Sequence, residues 1–194
     1  RGVWIEGSGT SNNEILGNII GLNETGSDTI SNGVGIALLG NSSDNFIGDG
    51  LGNGNLISGN REDAILISSS GFNGVFGNLI GLNLSGTDTI GNFRGISIDG
   101  ASNNMIGGFG LDSGNVVVAS AEQGIGISNV NGPSTGNFIQ GNIIGGDVGG
   151  NQFGNHGDGI ALTNSLTGAI SNNSILGNQI AYNDSSGILL DGNE

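Results

Sequence analysis

A glycine followed by apolar, any and apolar residues opens a phrase at Gly2 (GVWI), Gly35 (GIAL), Gly95 (GISI), Gly124 (GIGI), Gly159 (GIAL) and Gly187 (GILL), and Ala64 (AILI) takes the glycine's place once. Successive starts lie 33, 29, 31, 29, 35 and 28 residues apart. Recurrence on this scale marks a chain whose units cannot bury an apolar face alone and must stack on one another. Any fold proposed for the chain has to accommodate that period.

Two further phrases occur once per unit. Asn-x-(Ile/Val) begins at Asn13, Asn45, Asn73, Asn104, Asn137 and Asn173, and again at Asn18, Asn55, Asn78, Asn115, Asn142 and Asn178. Each unit thus holds three short apolar runs, rich in β-branched residues and bracketed by Gly and Asn. Such runs are too short for helices and read as strands separated by turns. From the third-phrase Asn to the next anchor the count alternates 17, 9, 17, 9, 17, 9, so units pair into super-repeats of 62, 60 and 63 residues. The long connections explain why GNIIGLNETGSDTISNGVGIAL, from Gly17, is echoed by GNLIGLNLSGTDTIGNFRGISI, from Gly77. The echo fades in the fifth unit, which lacks Asp-Thr-Ile. A GDGLGNG-like insertion separates the second and third phrases in units two and four but is missing from unit six.

Three strands per unit, each able to pair with its counterpart in the next, predict an all-β parallel β-helix of about six complete coils of 28–35 residues spanning 1–194 as a single segment. Asn at a fixed bend in every coil predicts a ladder of amides, Asn18, Asn55, Asn78, Asn115, Asn142 and Asn178, stacked about 4.8 Å apart. The pattern GN.IG.N..G.DTI.N..GI.I.GASNN.IGG resembles the right-handed parallel β-helix repeats of large secreted or cell-surface bacterial and archaeal proteins. That resemblance covers the whole chain and implies the right hand of the coil. It points less sharply to activity, because the same scaffold carries pectin-degrading enzymes, phage tailspikes, adhesins and passive stalks.

Composition narrows the function classes. Three Lys+Arg, all arginine, stand against 17 Asp+Glu for a formal charge of −14, which repels a phosphate backbone and an anionic membrane surface alike. No apolar run is long enough to insert in a membrane. Gly reaches 42 residues without the strict triplet period of collagen, and Cys is absent. The low-charge, lysine-free, Asn/Gly/Ser/Thr-rich make-up points to an extracellular or cell-surface setting.

Alternation within the anchor strand turns its first and third apolar residues inward and leaves Trp4, Ala37, Leu66, Ser97, Gly126, Ala161 and Leu189 outward. In the third phrase the outward row is Ile19, Leu56, Leu79, Val116, Ile143 and Gln179, more apolar than a solvated sheet. Either the long connections fold back over it or another chain packs against it. Trp4, Leu66, Leu189, Ile19, Leu56, Leu79, Val116 and Ile143 are therefore the candidate assembly surface. Both ends of the sequence fall at anchor strands without a polar cap, so the chain is expected to be a slice of a longer protein or a subunit that stacks end to end.

Candidate catalytic groups do not converge. A lyase of this fold wants a basic residue with Asp ligands for calcium, and a hydrolase wants paired carboxylates. Without Lys, a base falls to Arg61 or Arg94. Asp63 and Arg94 sit one residue before successive anchors, about 5 Å apart, which suits a cross-strand salt bridge. Glu6, Asp99 and Asp191 stand three coils apart and cannot act as a pair. His156 and Asp158 in GNHGDG could form a base with its orienting carboxylate, but no Ser or Cys nucleophile accompanies them. Asp28 and Asp88 take matching places in GSDTISN and GTDTIGN, where an Asx-turn and calcium ligation compete, and calcium is the one cofactor the sequence raises. Asn23 and Asn83 head matching glycosylation sequons.

These readings converge on a structural β-helical stalk or filament-forming segment, acting by self-assembly or as an adhesin shaft, with copies of itself or neighbouring domains as partners. The alternative is a carbohydrate-binding or polysaccharide-degrading β-helix with glycans on one face, for which a single Trp and a single Tyr are thin provision.

Overall fold

A computed structural model describes residues 1–147, 149–164 and 168–192. The described chain is all strand and turn, wound into a parallel β-solenoid of about six turns. Anchor phrases form a seven-stranded sheet in chain order: Val3–Glu6, Ile36–Leu39, Asp63–Ser68, Arg94–Asp99, Ile125–Ser128, Ile160–Asn164 and Ile188–Gly192. The second phrases make a six-stranded sheet from Glu14–Ile15 to Ser174–Leu176, and the third another from Ile19–Ile20 to Gln179–Ile180. All these pairings are parallel.

Register follows the phrases position for position. Val3, Ile36, Ile65, Ile96, Ile125, Ile160 and Ile188 pair in sequence across the anchor sheet. The rows therefore superpose like side chains along the axis. Inward rows fill the bore: Ile36, Ile65, Ile96, Ile125 and Ile160 from the anchor sheet, Ile47, Val75, Ile106 and Ile139 from the second, and Ile57, Ile80, Val117 and Ile144 from the third. Each of these is fully buried. Burying a β-branched aliphatic contributes roughly 1.5–3 kcal/mol, and the rows repeat that gain at every turn. One-residue slippage of a strand would turn its inward residues outward, so the register is over-determined.

Asparagines hold the bends between sheets. Asn78 is typical. Its Oδ1 accepts the Asn55 backbone N–H and Nδ2–H, both at 2.9 Å, while its own Nδ2 donates to Asn115 Oδ1 at 2.9 Å and to the Ile47 carbonyl at 2.8 Å. The same pattern runs Asn18–Asn55–Asn78–Asn115–Asn142–Asn178 at the bend before the third sheet. A parallel ladder, Asn13–Asn45–Asn73–Asn104–Asn137–Asn173, holds the bend before the second. Inner rungs such as Asn55, Asn78, Asn104 and Asn115 are buried, yet their amides are hydrogen-bonded.

A third ladder escaped the sequence reading. Asn32 donates to Asn60, and Asn60 to Asn92, ahead of the anchor strands, and Asn155 donates to Asn183 further along. Between the two stretches stands Ser120, whose backbone N–H reaches Asn155 Oδ1 at 2.9 Å but whose buried hydroxyl has no partner among the described residues. A serine is one bond too short to span the rung.

The alternating connection lengths have a steric cause. One coil rises about 4.8 Å, whereas a layer of chain with its side chains needs about 10 Å, so a bulky loop fits in every second coil. The long connections of units one and three carry matching antiparallel bridges, Leu22 with Thr29 and Leu82 with Thr89, and touch each other through Leu84 N–H to the Gly26 carbonyl at 3.2 Å. Insertions of units two and four occupy the opposite corner of the third sheet and likewise meet, with Gly50 against Ser113.

Replacing Asn78 with Ala should strand the Asn55 N–H in a buried setting, while the Ile47 carbonyl keeps the Phe76 N–H, lowering unfolding free energy by about 2 kcal/mol. Ser120→Asn should complete the third ladder and raise stability by about 1 kcal/mol. Denaturant melts of the two variants check both directions.

Candidate functional site

Two adjacent outer faces carry most of the exposed apolar surface. Over the third sheet lies a groove of about 490 Å³ whose floor includes Ile19, Leu56, Leu79 and Val116 and whose walls are Leu84 from a long connection and Leu111 from an insertion. Within it the candidate row divides. Leu56 and Val116, at 7% and 6% exposure, are covered, and join Leu22, Leu82 and Val118 in a second small core. Ile19 and Leu79 each remain 40% exposed, and Ile143 is half-buried. The long connections thus fold back over the even units and leave the odd units open, a direct result of loops in alternate coils.

The neighbouring second sheet presents an apolar row that the sequence reading passed over: Phe46, Met105 and Phe138, in register and exposed. Phe76 lies against Phe46 with ring centroids 6.3 Å apart, and its ring covers Gly74, the intervening rung. The signal was available as the middle residue of each Asn-x-(Ile/Val) phrase. Leu51, Phe109 and Leu111, on the insertions at the corner between the two sheets, project into solvent. Apolar side chains on the two faces and the edge between them form one patch, with Glu14 at the head of the second-sheet row; among the described residues Asp112 is the only charged one lining the groove.

The outer face of the anchor sheet is different in character. Trp4 lies under the Arg1 guanidinium, 3.2 Å from the ring centroid, and donates from Nε1 to Glu6 at 2.7 Å. Leu66 and Leu189 are half-buried, with Ala37 and Ala161 buried beside them. Large residues at the first, third and seventh rungs and small ones between them leave a shallow hollow of about 350 Å³ over Ser97 and Gly126. Its polar rim is already committed. Asp63, 2% exposed, takes Arg94 Nε at 2.8 Å and the Ser97 hydroxyl, and Asp99 takes the Ser128 hydroxyl at 2.9 Å and the Asn131 amide. The expected Asp63–Arg94 salt bridge is therefore present. Register sets Glu6, Asp99 and Asp191 on the first, fourth and seventh strands, too far apart to share a substrate.

Loop acids are engaged in local turns. Asp28 Oδ1 accepts the Thr29 N–H at 2.7 Å and Asp88 Oδ1 the Thr89 N–H at 2.8 Å, while Asn23 and Asn83 organise each loop by accepting two backbone N–H groups. Among the described residues no three His, Cys, Asp or Glu side chains converge on a point. His156 pairs with Asp184 of the next coil at 3.0 Å and not with Asp158, whose carboxylate caps the Ser186 N–H. Asp49 and Asp147 are held below the ordinary carboxylate value, first by the side-chain amides of Asn53 and Asn151 and then by backbone N–H groups. Comparison with family models, with curated proteins and with solved structures yields no match to this chain.

The Asp49 turn shapes the insertion that carries Leu51, and its bonds need the ionised carboxylate. A lowered folded-state pKa means that this contribution is present above the ordinary aspartate value of 3.8 and is lost as pH falls through the lower folded value. Asn53→Ala should move the Asp49 midpoint up toward 3.8, measured by NMR titration of the carboxyl carbon.

Proposed function

We propose that this chain is a rigid structural shaft of an extracellular or cell-surface protein, and that it associates side by side with copies of itself. The observation carrying this reading is the apolar patch that joins the second-sheet row, the insertion tips and the third-sheet groove. Monomeric soluble proteins rarely leave such contiguous apolar surface uncovered. Ladders that repeat from coil to coil support the shaft, since they give length and stiffness without a specialised centre.

A second copy is the occupant that electrostatics favours. Two chains each carrying −14 repel, and the groove within this patch presents a single charged side chain, Asp112, so apposing two grooves brings few like charges together. Knobs and hollow also lie side by side. Leu51 and Leu111 project beside a groove floored by Ile19 and Leu79, as a self-complementary two-fold contact requires. The lysine-free composition, rich in Asn, Gly, Ser and Thr, supports an extracellular setting.

Sedimentation and electron microscopy of the native protein test the reading. Laterally paired or bundled rods with an axial repeat of about 4.8 Å are expected. Leu79→Asp, at an exposed site, should leave the melting temperature within a few degrees and return the rods to single particles. Dispersed single rods of the unaltered protein across the accessible concentration range would refute self-association.

A further inference from the structure

One corner of the solenoid departs from its own template in a way that the shaft does not need. Two residues beyond the third-sheet strand, the even units turn through a left-handed residue: Gly59 at φ +68, Ala119 at φ +53 and Tyr182 at φ +60. Glycine adopts that conformation freely, whereas an aromatic residue is strained in it. Tyr182 is nonetheless placed there, half exposed, with its ring edge facing the side of Gly146 where a side chain would stand.

The ring borders a niche of about 450 Å³ shared with Phe153, Gln152, Thr89, His156 and Asp184. Ladder bonds align these groups: the His156 N–H reaches the Ser120 carbonyl at 2.8 Å and the Asp184 N–H the Asn155 carbonyl at 2.9 Å, setting His156 and Asp184 on successive rungs. His156 Nδ1 then meets Asp184 Oδ2 at 3.0 Å, which orients the imidazole and leaves Nε2 and Asp184 Oδ1 for a ligand. The side chains of Gln152, Thr89 and Tyr182 make no hydrogen bond to the described residues. On a chain whose buried amides are committed to rungs, this corner gathers donors and acceptors that are free, beside an aromatic face.

We infer that this niche binds a neutral pyranose residue of a glycan chain. A pyranose offers one face of C–H groups to a ring such as Tyr182 and a dense rim of hydroxyls to the imidazole, carboxylate and amide groups around it. Asp184, together with the overall charge of −14, disfavours uronate or sialate sugars. The inference stands independently of self-association, because Tyr182 lies outside the apolar patch.

The test uses the full chain on an array of neutral hexose and N-acetylhexosamine oligosaccharides beside sialylated and uronate-containing ones, followed by calorimetry with the best-bound neutral oligosaccharide. Binding confined to neutral sugars is expected. Tyr182→Gly, which installs the residue that unit two uses at the same turn, should melt at or above the wild-type temperature yet bind about tenfold or more weakly. Asp184→Asn should weaken binding too, whereas Trp4→Ala, on the opposite end of the solenoid, should leave it unchanged. No binding to neutral sugars, preference for the acidic ones, or full affinity in Tyr182→Gly would each overturn the inference.

Discussion

A buried primary amide has two N–H donors and an oxygen with two lone pairs, and a solenoid can satisfy all of them only if the next coil brings the same residue to the same height. That condition governs this chain. Asn78 is compatible with burial because Asn55 and Asn115 lie directly before and after it, and the Ile47 carbonyl faces its second N–H. Two such ladders flank the second sheet, and in-register aliphatic rows follow from them: once the bends are pinned, Ile36, Ile65 and Ile96 have nowhere to go but above one another. Hydrophobic burial supplies most of the stabilising energy, while the ladders select the register in which it is realised.

The pairing of units into super-repeats follows from the same axial rise. Coils separated by about 4.8 Å leave no room for a folded loop on every turn, so the long connections belong to odd units and the insertions to even ones. This arrangement has a surface consequence. A loop from an odd unit shelters the residue of the next even unit, burying Leu56 and Val116, and the outward residue of the odd unit itself, Ile19 or Leu79, stays open. The groove over the third sheet is therefore produced by spacing rules, with its depth set by Leu84 and Leu111 on either side.

Much of this was legible in the residues. Anchor phrases, strand count, inward and outward rows and the ladder from Asn18 to Asn178 follow from period and alternation alone, and the Asp63–Arg94 pair follows from their equal offset to the anchor. What escaped has physical reasons. The third ladder stands three residues before some anchors and four before others, as at Asn32 and Asn60, so no fixed offset reveals it until the coils are superposed. His156 found its carboxylate 28 residues away at Asp184 and not two away at Asp158, because in a solenoid the nearest neighbour lies one period on. The apolar row of Phe46, Met105 and Phe138 is interrupted in sequence by Gly74, and only the ring of Phe76, folding over that glycine, restores it.

Departures from the template are also unevenly distributed. The two ladders flanking the second sheet run through every unit, whereas the third gives way at Ser120, and the turn beside it passes from Gly59 through Ala119 to Tyr182. Strain of order 1–3 kcal/mol persists only where surrounding structure over-determines the backbone. Here the surrounding structure is the pair of intact ladders, which fix the coils whether or not the third corner is ideal. The corner they leave under-constrained is one place where the chain can depart from repetition, as it also does at Phe72, and it is there that an aromatic ring, an imidazole–carboxylate pair and unpaired polar side chains have gathered.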